Sequence, residues 1–199
     1  MGTPSHPLPH VPPLSPSGVL PPYLGATPAL AGAMAPYPAT LLLIAQRFCF
    51  TPARNKILQG FLDYRQALAG VGFIQGFQWV SGSFLEDIEK LEGRAPRDVD
   101  IVSFVKRPSG CQLDADWLLF TQTNRPLLYS DQKARYACHA FFVDLDLPDT
   151  TAIVNQTRYW FGLFSHRRGG LWKGLLQVPL AICQDDQDAK QFLTSGTHP

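Results

Sequence analysis

The sequence predicts a domain of the α/β (α+β) class, and three observations predict it. A long stretch from Thr51 to Gly70 repeats apolar residues at helical spacing. Short runs rich in aromatic and β-branched residues, among them Phe77 to Val80 and Val99 to Val105, have the length and make-up of strands. The two kinds of segment alternate along the chain with Gly, Pro and Asp between them, as where helices pack on a sheet.

Thr51 is a good helix N-cap, Pro52 suits the first helical position, and Gly70 and Gly72 can end the helix. Ile57, Leu58, Phe61, Leu62 and Leu68 mark its core face. Phe77 to Val80 reads as a strand that stops at a Gly-Ser turn. Ser83 and Glu86 then have capping-box spacing for a short helix through about Leu91, ended by Gly93 and Pro96. A second strand covers Val99 to Val105. A short helix is expected around Asp114 to Phe120, followed by a loop at Asn124-Arg125-Pro126 and the apolar strand Ala140 to Val143. Asp149 and Thr150 can cap a helix carrying Ile153, Val154, Tyr159, Trp160, Phe161 and Phe164. A last strand is expected over Leu171 to Val178, after the turn at residues 166–170.

A chain of 199 residues with 45% hydrophobic content suffices for one domain with a sizeable core. Eleven of the eighteen prolines lie in the first forty residues, with almost no charge and no apolar period. Residues 1–38 therefore read as a Pro-rich tail or arm, either disordered or laid across a partner protein or its own domain. The domain is expected over residues 39–185, with a C-terminal tail over 186–199. The formal charge of +1 neither demands nor excludes a polyanionic partner. Cys49, Cys111, Cys138 and Cys183 are widely spaced, without a zinc pattern, and fit a reducing, cytoplasmic setting. The apolar run near Leu41 has no basic residue before it and is broken by Pro36 and Pro38, unlike a secretory leader, and no stretch has the length of a membrane span.

Chemistry concentrates between residues 79 and 105. Gly82-Ser83 can bring backbone amides close to a phosphate, and Asp98 and Asp100, two apart at the mouth of a strand, project to one side. Alone, a Gly-Ser pair is a common turn and two acids are a common solvated strand end. Together they supply both halves of a nucleoside-triphosphate site, a phosphate cradle and ligands for a divalent cation.

These residues resemble the nucleotidyltransferase superfamily of polymerase-beta-like fold, whose signature is a hydrophobic-Gly-Ser turn, a short helix and an Asp-hydrophobic-Asp strand. Val80-Ser81-Gly82-Ser83 and Asp98-Val99-Asp100-Ile101-Val102 match it. The wider run, including residues 18–23 and the segment from Trp160 through Trp172-Lys173-Gly174, looks like a small bacterial branch of that superfamily. The resemblance implies a mixed sheet flanked by helices and a nucleoside triphosphate as donor. It implies Mg2+ or Mn2+ held by Asp98 and Asp100, and transfer of a nucleotide to a hydroxyl of a protein, an RNA or a small molecule. By analogy, such a protein would serve as a toxin or phage-defence component.

Enzymes of this kind add a third carboxylate at the start of a neighbouring strand. If the strand near Cys138 runs parallel to that of Asp100, as the length of the connection through the 114–120 helix favours, the residue there is His139, which suits manganese better than magnesium. Asp144 reaches the site only if the pairing is antiparallel. Arg167 and Lys173, in the basic segment after the aromatic helix, are candidates to neutralise triphosphate charge. The alternative to an enzyme is a nucleotidyltransferase-fold protein without turnover, acting as a binding or regulatory subunit.

Overall fold

The computed structural model describes residues 8–29 and 33–195. The parts of the expected arm at 1–7 and 30–32, and of the expected tail at 196–199, lie outside the described residues.

Helix α1, Leu41–Phe48, starts where the Thr40 hydroxyl accepts from the Leu43 amide, and it buries Leu41, Ile44, Ala45 and Phe48. Helix α2, Pro52–Gly70, begins as expected: Thr51 accepts from the Arg54 amide and Pro52 stands in the first turn. Its core face carries Ile57, Leu58, Phe61, Leu62 and Leu68, and also two arginines, Arg54 and Arg65, that are 0% and 1% exposed. Strand β1 is Tyr37–Pro38, β2 is Gly76–Ser81 and β3 is Val99–Val105. After β3 come α4, Asp114–Thr123, a π-helical turn over Pro126–Ser130, and α5, Gln132–Tyr136. Strand β4, Cys138–Asp144, helix α6, Thr150–Phe164, strand β5, Leu176–Pro179, and helix α7, Gln184–Ser195, complete the chain. The short helix α3, Ile88–Glu92, lies between β2 and β3.

The five strands form one mixed sheet in the order β1-β5-β2-β3-β4. Strand β2 is antiparallel to β3 and β5, while β3 and β4 are parallel, the crossover between them running through α4 and α5. Both faces of the sheet are covered. Trp160 and Phe161 of α6 meet Phe141 and Trp79 on one face, while on the other Phe73 and Trp117 lie against Phe142 and Arg65 of α2 reaches Gln78. The α/β class and the mixed sheet flanked by helices are thus present.

Three local expectations are corrected. Ser83 caps nothing; Ser83–Leu85 is one turn of 3-10 helix, and α3 starts later, behind Asp87, without a side-chain cap. The Glu86 side chain is drawn away to two cations described below. The loop at Asn124-Arg125-Pro126 is a helix end running directly into the π-helical turn, because Pro126 supplies no amide to extend α4 but suits the start of a new turn. The last strand begins at Leu176, since the amides of Lys173 and Gly174 bond instead to Ser165 and Leu20.

Both ends of the described chain pack against the domain. Val19, Leu20 and Tyr37 are 2%, 1% and 0% exposed, and Tyr37 donates through its hydroxyl to Pro21. Strand β1 pairs with β5, and a β-carbon on Gly174 would lie 2.4 Å from the Pro21 carbonyl oxygen, so only glycine lets this segment come so close. At the other end, residues expected to be tail form α7. Its Asp186, 4% exposed, holds Arg65 of α2 through contacts of 2.7 and 3.2 Å.

Candidate functional site

The Gly-Ser turn leaves β2 with Gly82 at φ 91° and ψ −177°, a conformation that residues with a β-carbon rarely adopt. A β-carbon there would also stand 2.6 Å from Asp100 Oδ2 and 3.1 Å from the Asp100 amide nitrogen. Glycine is therefore required twice, by its own backbone and by the carboxylate lying over it. Arg54 anchors the chain just after this turn. Its guanidinium donates to the carbonyls of Phe84 and Glu86, each at 2.7 Å, and to both carboxylate oxygens of Glu89 at 2.7 Å. That guanidinium holds the Glu89 carboxyl below its ordinary range.

Asp100 pairs in register with Ser81 on β2 and with His139 on β4. Asp98 precedes β3 by one residue, so alternation sets both carboxylates to the same side. Burial pushes the Asp100 carboxyl above its usual range and the neighbouring Asp98 charge adds to this, while His139 and Lys173 oppose it. Asp98 Oδ2 lies 2.6 Å from Lys133 Nζ, and Asp100 Oδ1 lies 3.2 Å from His139 Nδ1. The His139 ring rests on Phe141, with centroids 4.6 Å apart, and Phe141 in turn on Trp160 at 4.4 Å. Ser81 donates from its hydroxyl to the Phe164 carbonyl at 2.9 Å, fixing the end of α6 beside the turn.

The structure thus brings Gly82, Asp98, Asp100 and His139 together, with half-buried Ser83 next along the turn. It does not bring Asp144. Parallel pairing puts Asp144 opposite Val105, at the far end of β4, where it accepts from Arg107 Nε at 2.8 Å. The five residues from His139 span roughly 16 Å at strand rise. Arg167 and Lys173 converge on Glu86 rather than standing free. Lys173 Nζ is 2.6 Å from Glu86 Oε1, Arg167 Nε is 3.0 Å from Oε2, and Arg167 also meets Glu92 at 2.5 Å. Lys173, 6% exposed, still lowers the Asp100 carboxyl electrostatically.

Three residues of this neighbourhood escape sequence reasoning. Glu86 was visible only as half of a capping box. Arg54 carries a signal in retrospect, since it precedes Leu58 and Phe61 at helical spacing on the buried face. Lys133 has none, because its reach to Asp98 depends on where α5 docks.

Among the described residues no group of three or more His, Cys, Asp and Glu is placed to hold a metal. A magnesium ion is commonly held by one or two carboxylates with the remaining positions filled by water and substrate phosphate. Asp98 and Asp100 fit that donor set, and His139 would add a ligand suited to manganese. No helix among the described residues is long and apolar enough to cross a membrane. No curated protein and no solved structure matches this chain. The model of a family of unknown function (DUF6932) matches residues 12–179, from the Pro-rich segment through β5, and the chain belongs to that family.

Proposed function

We propose that this protein is a metal-dependent nucleotidyltransferase, moving a nucleotide from a nucleoside triphosphate to a hydroxyl of a protein, an RNA or a small molecule. The observation that carries the reading is the placing of Gly82 directly beneath the carboxylate of Asp100, with Asp98 on the same side. A phosphate cradle and two hard oxygen ligands are what such a transfer needs from the protein.

Asp98 and Asp100 would hold the divalent cation, and Mg2+ or Mn2+ bound there supplies charge neutralisation at phosphate oxygens. The triphosphate would lie against the backbone amides at Ser83, next to the glycine turn. Lys133 has to leave Asp98 for a cation to enter. Its side chain is 65% exposed, so it can swing into solvent without burying a charge, while the cation takes over the less exposed Asp98. Lys133 then becomes free to meet phosphate. Lys173, held by Glu86, keeps a buried positive charge near Asp100 without leaving its place.

A second reading, a binding or regulatory protein without turnover, is favoured by one observation: the position of a third acid is filled by His139, leaving two carboxylates already engaged by Lys133 and His139. Incubation with each α-labelled triphosphate, magnesium or manganese, and cell lysate separates the two. Label reaching a macromolecule with wild type and not with Asp98→Ala/Asp100→Ala supports transfer. Absence of transfer, together with no metal-dependent gain in thermal stability from any triphosphate, favours the second reading.

A further inference from the structure

Strand β4 is the last strand of the sheet, and among the described residues no strand pairs with its outer side. The Val99 amide donates to Ala137 and the Leu145 amide donates to Val105, the two ends of a parallel ladder. In that ladder the amides and carbonyls of 139, 141 and 143 face β3. Those of Cys138, Ala140, Phe142 and Asp144 face outward. Among the described residues these outward backbone groups have no hydrogen-bond partner.

They open onto a cavity of about 460 Å³ between β4, the π-helical turn and α6. Its apolar lining includes Leu128, Tyr129, Phe141, Phe142 and Trp160. Gln132 also lines it; this side chain is 5% exposed, and its amide nitrogen has no hydrogen-bond partner among the described residues. A buried, unsatisfied amide is a penalty that a ligand supplying an acceptor removes. The exposed Arg125 stacks over Tyr129 of the lining, its guanidinium carbon 5.8 Å from the ring centroid, and forms no ion pair among the described residues.

We propose that this cavity binds an extended polypeptide segment, which adds to the outer edge of β4 as a strand. Alternating backbone donors and acceptors on β4 match a peptide backbone and not a phosphodiester. An apolar side chain of the segment fills the aromatic lining, a carbonyl accepts from Gln132, and an acidic residue complements Arg125. The site stands whether or not the acids transfer a nucleotide. Because Lys133 and His139 line its other end, a bound segment also passes beside Asp98 and Asp100.

The test is a panel of synthetic eight-residue peptides that alternate Val or Phe with Thr and carry one Glu, titrated into the full-length protein without nucleotide. Amide hydrogen exchange is followed at Ala140 and Phe142. Binding should slow exchange at these two amides. N-methylation of one alternate set of peptide nitrogens should abolish binding, and of the other set leave it unchanged. Gln132→Leu should weaken affinity about fivefold to tenfold while leaving the unfolding midpoint within a few degrees. The proposal is overturned if no peptide of the panel slows exchange, or if both methylated sets bind alike. It is equally overturned if an oligouridylate protects the same amides in place of peptide, or if protection grows with protein concentration alone, which would make a second copy the occupant.

Discussion

The backbone of Gly82 and the carboxylate of Asp100 are in contact, so closely that a β-carbon at 82 would fall 2.6 Å from Oδ2. Turn and acid are therefore one unit, and each limits what the other can become. Gly82→Ala combines an unfavourable positive φ with displacement of that carboxylate, and it should destabilise the domain by about 1–3 kcal/mol. Urea unfolding checks this, and an unchanged midpoint would show that the turn relaxes away from Asp100.

Asp100 sits in a setting that resists its charge. Its pKa is raised in the fold above the ordinary carboxyl value of 3.8, chiefly by burial. Between 3.8 and the higher folded value the native state binds more protons than the unfolded chain, so stability falls as pH rises through that window and then levels. Asp100→Asn removes the cost. Without divalent cations it should unfold at a higher temperature than wild type at pH 7, the advantage shrinking as pH falls through the window. Equal melting temperatures at pH 7 would mean that His139 and Lys173 already offset the burial.

Glu86 carries two cations, one of them buried. Glu86→Ala leaves Lys173 without its partner at 6% exposure, a loss of about 3–5 kcal/mol by analogy with other broken buried pairs. Glu86→Gln with Lys173→Met should recover much of it. If the double variant is as unstable as the single one, the charge of Lys173 is not what Glu86 satisfies.

Arg65 links α2 to α7 through Asp186, and to the sheet through Gln78, whose amide donates to Ser103. Asp186→Ala leaves a guanidinium buried at 1% exposure and should cost about 3–5 kcal/mol in a denaturant titration. Removing residues from 184 onward should do at least as much damage. A truncated chain as stable as the whole would make α7 an accessory rather than part of the core.

Elements whose signal is local were legible. Thr51 and Pro52 start α2, Asp149 starts α6, and the strands around Trp79, Val102 and Phe141 stand where aromatic and β-branched residues gather. Elements without such a signal were not. The Pro-rich segment has no period, yet Leu20 and Tyr37 are each buried in a place made by distant residues. Helix α7 begins with polar residues and looks like a tail until Asp186 meets Arg65.

By itself the sequence determined the run of helices and strands at the centre of the chain and the pairing of Gly82-Ser83 with Asp98 and Asp100, because cap, strand and turn preferences act over a few residues. The parallel pairing of β3 and β4, which the length of their connection favours, sets His139 and not Asp144 beside Asp100, while only the tertiary structure decided that Lys133 and Glu86 take up the neighbouring charges. Those choices depend on the register between strands and on the docking of α5 and α6. Residues 35 to 87 positions apart meet there, and the contacts of Lys133 with Asp98 and of Lys173 with Glu86 leave no record in spacing along the chain.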